Sequence, residues 1–245
     1  MSLSTSAFLL VVVSAALAID VPDFIHVCKR SDPNIEACIT ESVEKLRPYL
    51  KTGVPEYNIP SLEPLLLNEL VASEGSGLRI TAKNVHAYGA SDFIVRRLKI
   101  DLDHLRFAVD VDLPHLYIDG QYSIDGRVLL LPIRGSGPLY GNFSAATGAV
   151  KLKGELRKDK EGLDHLHFEE FRMKISIGKG SLRLENLFGG ERALGDVVNG
   201  AINSNFDSFI KELQPLIEHA LSEAFVEISN RIVNPFTYEQ LFPEH

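Results

Sequence analysis

Residues 194–232 read LGDVVNGAINSNFDSFIKELQPLIEHALSEAFVEISNRI. Their apolar members, from Leu194, Val197, Val198, Ala201, Ile202, Phe206, Phe209 and Ile210 through Leu213, Leu216, Ile217, Ala220, Leu221, Ala224, Phe225, Ile228 and Ile232, recur at the spacing that lines one face of an α-helix. At about 1.5 Å per residue such a helix is on the order of 58 Å long. Adjacent apolar pairs such as Val197-Val198 and Phe209-Ile210 make the stripe wider than a coiled-coil seam, and Asn205 and Ser208 stand where a strict heptad wants apolar residues. A helix with so wide an apolar face needs a broad surface to lie against. Pro215, in its middle, removes one backbone hydrogen bond and predicts a bend there.

The preceding stretch, from Leu65 to about Leu187, supplies that surface, because its period is 2. Leu105, Phe107, Val109, Val111 and Leu113 alternate with Arg106, Ala108, Asp110 and Asp112. The pattern returns at Leu116, Ile118, Tyr122 and Ile124, at Val150, Leu152 and Leu156, at Phe171, Met173, Ile175 and Ile177, and at Leu182 and Leu184. Turn-forming residues fall between: Glu74-Gly75-Ser76-Gly77, Asp125-Gly126, Gly135-Ser136-Gly137, Thr147-Gly148, Lys160-Glu161-Gly162, Gly178-Lys179-Gly180 and Gly189-Gly190. With no β-α-β rhythm the sheet is expected to be antiparallel, one face wet and one apolar. Long strands coil, and the simplest packing is an α+β fold in which a strongly curved antiparallel sheet wraps the C-terminal helix.

The ends of the chain frame this unit. Ala7 to Ile19 is an apolar run broken only by Ser14, too short to span a bilayer and of the length of a signal-peptide core, with Ala16-Leu17-Ala18 as the cleavage signal. Residues 1–18 are therefore read as a signal peptide and 19–245 as a single domain, secreted into an extracellular fluid. Cys28 and Cys38 are the only cysteines, which in an oxidising compartment reads as one disulfide closing a short loop. Asp32-Pro33 predicts a helix start, with Asp32 as N-cap, and Gly53 its stop. Three prolines, Pro55, Pro60 and Pro64, predict an extended connection. Asn234-Pro235 ends the long helix before an apolar tail, Phe236 to Pro243. Asn142-Phe143-Ser144 is an N-glycosylation sequon, expected to fix a turn at the surface.

A formal charge of −8 makes the chain a poor prospect for nucleic acid or strong anionic-membrane binding, which require Lys/Arg clusters, and Arg96, Arg97 and Lys99 are offset in sequence by Asp92, Asp101 and Asp103. Enzyme signatures are absent: no Gly-x-Ser-x-Gly elbow, His-Glu-x-x-His or phosphate-cradling glycine loop occurs. His165 and His167, beside Asp164 and Glu169, fall on the wet strand face without a third metal ligand at characteristic spacing. Glu218-His219 is read as helix surface. No metal, cofactor or catalysis is expected.

Several local signatures, in order and spacing, resemble the insect takeout and haemolymph juvenile hormone-binding protein family. They are the Cys28/Cys38 pair followed by Gly53-Val54-Pro55-Glu56 and Ile59 to Pro64; Gly120-Gln121-Tyr122-Ser123-Ile124-Asp125-Gly126 leading into Leu130-Leu131-Pro132-Ile133; Leu187-Phe188-Gly189-Gly190-Glu191 with Asn199, Asn203 and Asn205-Phe206; and Leu241-Phe242-Pro243. The lack of further cysteines favours the takeout-like branch. The resemblance implies a long helix wrapped by a curved sheet around an elongated hydrophobic tunnel. It also implies a carrier of small lipophilic molecules, such as juvenile hormone-like terpenoids or fatty-acid derivatives.

Such a tunnel needs small residues beside large ones, and Ala201, Ala220, Ala224, Gly120 and Gly154 are small positions on the two apolar faces. The expected lining is Phe107, Val109, Tyr122, Leu130, Phe171 and Met173 from the sheet and Val198, Ile202, Phe206, Phe209 and Leu213 from the helix, with the Tyr122 hydroxyl offered to a ligand oxygen. Each of these also suits plain core packing. Asn199, Asn203 and Asn205 suit strand-backbone hydrogen bonds, ligand orientation or capping. The other function class is a secreted interaction or signalling module with a solid core and an unidentified receptor protein as partner. Anionic membrane-lipid binding is disfavoured by the charge.

Overall fold

The computed structural model describes residues 20–74, 77–128 and 131–244; the expected signal peptide and Leu130 lie outside them. A first helix, α1 (Ile35–Thr52), is followed by strands β1 (Leu65–Glu74), β2 (Leu78–Tyr88), β3 (Ile94–Asp101), β4 (Arg106–Val128), β5 (Leu131–Lys158) and β6 (Asp164–Leu184), then by α2 (Arg192–Ser204), α3 (Phe206–Val233) and α4 (Tyr238–Leu241). The strands form one sheet in the order β1-β2-β4-β5-β6, with β3 beside the first part of β4, and all of these pairs are antiparallel. The sheet curls until β6 at one edge and β1 at the other both touch α3. The expected α+β architecture holds.

The strands are fewer and longer than the glycine punctuation suggested. Lys160-Glu161-Gly162 is a turn, but Asp125-Gly126, Gly135-Ser136-Gly137, Thr147-Gly148 and Gly178-Lys179-Gly180 all lie inside strands. What happens near the last two is a change of face. On β5 the buried residues are Ile133, Leu139, Gly141 and Phe143, then Ala146, Gly148, Val150 and Gly154. The switch from odd to even numbers is made by Ala145, whose φ is +52°, in the left-handed region that a residue with a Cβ seldom enters. The pairing steps over Ala145 and Pro114 together, from Leu113↔Ala146 to His115↔Ser144. On β6 the same row falls at Gly178, where a Cβ would stand 2.9 Å from that of Ala145. Because three strands change face in one row, the register with β5 is unbroken there while the sheet bends.

Edge strand β6 is sealed by side chains of α2 and α3. Asn199 accepts from the Leu184 N–H and donates to the Leu184 carbonyl, both at 2.9 Å. Asn203 does the same to Leu182, both at 2.8 Å, and Asn230 to Phe168, at 2.7 and 2.9 Å. Between them the Ile175 N–H donates to Glu218 (3.0 Å), Gln214 donates to the Ile175 carbonyl (2.9 Å), and the Met173 N–H donates to Ser222 (3.1 Å). Glu218, expected on the surface, is thus only 4% exposed; it also accepts from Lys174 at 2.6 Å. His219 beside it does point to solvent.

The single helix expected over 194–232 is two. Asn205 ends α2 and precedes α3, and its Nδ2 donates back to the Ala201 carbonyl at 3.0 Å, competing with the helical ladder. α3 runs on through Pro215 without interruption. The break sets Phe206 over Gly180, where a Cβ would lie 2.4 Å from the Phe206 ring; only glycine permits that approach.

At the N-terminus, Asp32 forms a local turn by accepting from the Asn34 N–H (2.8 Å), so that α1 starts at Ile35 with Asn34, not Asp32, at its cap. Gly53 ends it as expected. The Cys28–Cys38 disulfide ties the leading segment to α1. The Arg30 N–H donates to the Pro243 carbonyl at 2.9 Å, and the guanidinium pairs with Glu239 and lies 5.1 Å from the Tyr238 ring, which fastens the C-terminal tail. Phe236, fully buried, packs on Tyr57.

The edge seal yields two predictions. Asn199 is buried and Asn203 exposed, so Asn199→Ala leaves an unpaired buried N–H and C=O and should cost about 3 kcal/mol, whereas water replaces the amide in Asn203→Ala, costing under about 1 kcal/mol. Urea unfolding of the two variants checks this, and equal losses would contradict it. Burial alone pushes the Glu218 carboxyl up, but hydrogen bonds from Lys174, Gln214 and the Ile175 N–H outweigh it and hold the group below its ordinary value of 4.5. A carboxyl lowered by folding stabilises above its unfolded value and loses that contribution as pH falls through the folded one. The stability gap between wild type and Glu218→Gln should therefore shrink below about pH 4.5; a gap constant with pH would refute the assignment.

Candidate ligand cavity

Sheet and helix do not fill all the space between them. In the half that contains the C-terminal part of β4, an apolar cavity of about 180 Å³ lies between the inner sheet face and α3. Leu70 and Ala72 of β1, Ile80 and Ala82 of β2, Ile118, Tyr122 and Ile124 of β4, Leu139 and Phe143 of β5, and Leu182 and Leu184 of β6 form its curved wall. Phe209, Ile210, Leu213, Leu216, Ile217 and Ala220 of α3 form the opposite one. Each strand contributes alternate residues, as a pleated wall must. The helix contributes residues three or four apart, with Ile210 and Ile217 from the second members of its apolar pairs. Three alanines, Ala72, Ala82 and Ala220, leave the room that longer side chains would occupy.

Its electrostatics are simple. No charged side chain lines it, and Tyr122 supplies its one polar side chain. That hydroxyl is not offered inward as expected: it donates to the Glu185 carbonyl at 2.6 Å, and burial pushes the phenol up to about 12. A guest is held there by shape and dispersion, and an ionised group would enter at a cost no neighbour offsets.

Tyr122, Phe209 and Leu213 line the cavity among the residues proposed from sequence. The others sit elsewhere. Val198 and Ile202, both nearly inaccessible, pack with Leu187 in solid core beside it. Phe206 packs on Phe143, ring centroids 6.1 Å apart, over Gly180. Val109, Phe171 and Met173 belong to the half beyond Ala145, where Phe171 stacks on Phe225 at 5.7 Å and Val109 pairs with Val150. Phe107 meets Phe168 edge-on at 5.6 Å and Phe242 at 6.3 Å. Leu130 lies outside the described residues. Gly120 and Gly154 open no space either, since Val85 and Leu166 press against them. Leu70, Ala72, Ile80 and Ala82 were missed, although Leu-x-Ala and Ile-x-Ala in two neighbouring strands are the signal of a wall with recesses.

Two grooves differ from the cavity in kind. One of about 270 Å³ runs between the free edge of β1 and α3, and Leu70 and Ala220 line both it and the cavity. A larger, open one of about 650 Å³ is lined by Lys99, Arg106, Lys151, Lys153 and Arg172 together with Glu36, Asp101 and Glu170, which unsuits it to an apolar guest. His165, expected to be solvated, has its Nδ1 3.0 Å from the Asn234 carbonyl oxygen and its Nε2 3.2 Å from Asp159, so it fastens the turn after β5 to the end of α3. His26 lies beside Cys28 and Cys38, whose sulfurs are committed to the disulfide.

Comparison with known proteins places this architecture. The sequence matches the model of the haemolymph juvenile hormone binding protein family over residues 7–243. It is 26% identical over 225 residues to the circadian clock-controlled protein daywake of Drosophila melanogaster, covering 88% of this chain and 85% of daywake. It is 20% identical over 214 residues to a putative beta-carotene-binding protein of Schistocerca gregaria, covering 87% of this chain and 86% of that protein. The crystal structure of Takeout 1 from Epiphyas postvittana superposes with a TM-score of 0.74 at 23% identity, covering 89% of this chain and 100% of that one, and so shares the fold. That family is one of binding proteins. By the extent of the match, the chain belongs to the haemolymph juvenile hormone binding protein family.

Proposed function

We propose that this protein is a secreted, non-catalytic carrier that takes a small lipophilic molecule, a juvenile hormone-like terpenoid or a fatty-acid derivative, into the space between α3 and the curved sheet. The observation that carries this reading is the apolar cavity between α3 and the sheet, with no charged group in its wall. A solid core would be filled to near-crystalline density, so the void weighs against an interaction module without a ligand. The apolar run before Ile19 and the disulfide suit an oxidising extracellular compartment.

At about 180 Å³ the cavity is below the roughly 300–1,000 Å³ of ordinary ligand sites. A terpenoid or an acyl chain therefore needs more room. The groove between β1 and α3 offers it, because no hydrogen bond between the β1 backbone and α3 exists among the described residues, in contrast with the sealed β6 side. An ester or hydroxyl end would lie toward that groove, where Asn68 and Arg231 supply polar contacts, whereas an ionised carboxylate would meet Glu69, Glu223 and Glu227 there. An unidentified receptor protein is the remaining partner class.

Displacement of an apolar fluorescent dye by a panel of terpenoids and fatty acids tests the reading; the absence of Trp rules out tryptophan quenching as the readout. Ala220→Phe fills the cavity from the helix side and should weaken binding at least about tenfold, for an overpacking cost of about 1–3 kcal/mol in stability. Phe substituted at Val197, which is exposed on α2, should leave binding unchanged. No dye uptake by wild type, together with a homogeneous ligand-free mass for protein from an insect source, would remove the carrier function.

A further inference from the structure

The convex face of the sheet holds a feature unrelated to the cavity. Asn142, of the sequon Asn142-Phe143-Ser144, stands inside β5 and not at the expected turn. Phe143 is buried against Phe206, so Asn142 points outward and is exposed. Its neighbours are unusually aromatic. Tyr117 of β4 is directly opposite it, Tyr88 of β2 is directly opposite Tyr117, and Tyr140 is two places earlier on the same strand face. The Tyr88 and Tyr117 ring centroids are 5.8 Å apart, and Tyr88 and Tyr140 are each 38% exposed. Tyr117, Tyr140 and Asn142, with Ser181, Arg183 and Asn203, line a groove of about 250 Å³. The Asn142 Oδ1 lies 2.7 Å from the His115 Nε2, while its Nδ2 has no hydrogen bond among the described residues.

An exposed cluster of tyrosines in a chain with no need of them for core packing wants an explanation. A pyranose ring offers one. Its C–H face packs on the face of an aromatic ring, while its hydroxyls bond polar neighbours such as Ser181 and Arg183. The single atom from which a sugar would enter this groove is the unengaged Nδ2 of Asn142. We propose that Asn142 carries an N-linked glycan whose first sugar lies in the groove against Tyr117 and Tyr140. This rests on the secretory reading above, because the modification is made only in that pathway. In the transfer, the Asn142 Nδ2 bonds the anomeric carbon of an oligosaccharide carried on a polyprenyl diphosphate. The C–O bond to the diphosphate breaks, the diphosphate leaves with the bonding pair, and the amide loses one proton. The Ser144 hydroxyl is the part of the sequon that the transferase requires.

Expression of the full chain in insect cells tests this. Secreted wild-type protein should lose the mass of one glycan on treatment with a peptide N-glycosidase, and Asn142→Gln and Ser144→Ala should each be secreted without that mass. Secretion without the shift would overturn the glycan alone. Retention inside the cell without it would overturn the secretory reading and the glycan together. The seat has its own readout. Ser144→Ala should lower Tm by about 2–4 °C in the otherwise wild-type chain and by clearly less in a Tyr117→Ala/Tyr140→Ala background that is still glycosylated. Equal losses in the two backgrounds would overturn the groove as the sugar's seat.

Discussion

A curled sheet that closes on a helix instead of on itself leaves an edge whose backbone must be satisfied by something other than a strand. Here the edge of β6 lies against α2 and α3 in place of a further strand, so its outward N–H and C=O groups have no ladder partner, and where the contact is buried they have no water either. The solution is a row of helix side chains that act as surrogate peptide groups: Asn199, Asn203 and Asn230 each present one acceptor and one donor to a single strand residue, and Gln214 with Glu218 does so jointly for Ile175. The lengths agree. About 31 helical residues from Asn199 to Asn230 at 1.5 Å span about 46 Å, and about 16 strand residues from Leu184 to Phe168 at 3.3 Å span about 53 Å. That match fixes the direction of the helices along the strand and thereby the apolar face they turn inward.

The same constraint explains the two irregularities of the elements concerned. A strand that twists along its length cannot be followed by one straight helix, and the helix divides at Asn205, where Phe206 can settle on Gly180. The strands bend where Ala145 takes a positive φ in line with Pro114 and Gly178. Proline gives up no ladder donor at a step the pairing already skips, and glycine gives way to the Ala145 side chain. The face exchange carries the inward residues of β4 from Phe107 and Val109 on one side of the bend to Ile118, Tyr122 and Ile124 on the other.

Much of this was legible in the chain itself. The period-2 and period-3.6 stretches gave the sheet, the helix and their mutual need, because burial on one face leaves its mark on every second or every third and fourth residue. The alternations over 105–113 and 116–124 were both readable, but not that one strand carries both, since glycine and proline mark bends within strands as often as turns between them. The seal was half legible: Asn199, Asn203 and Asn205 stood out, but burial of Glu218 depends on a strand edge far away in sequence. The cavity was least legible. Phe171 and Met173 have the same inward pattern as Tyr122, and pattern records burial, not vacancy.

Vacancy is decided by what meets across the core. Beyond the bend, the helix carries Phe225 against Phe171, and Phe242, just past the end of α4, lies against Phe107, so aromatic rings from both sides close that half. On the near side, Val198 and Ile202 of α2 fill the space above Leu187. Between these two plugs α3 faces the sheet with Leu213, Leu216, Ile217 and Ala220, and the wall opposite includes Ala72 and Ala82. Neither side reaches far enough to meet the other. The surrounding backbone cannot collapse to remove the gap, because the β6 edge is held at fixed points on the helix and the sheet is continuous from there through β5, β4 and β2 to β1. An apolar cavity persists here because its frame is fixed by hydrogen bonds that relaxation would have to break.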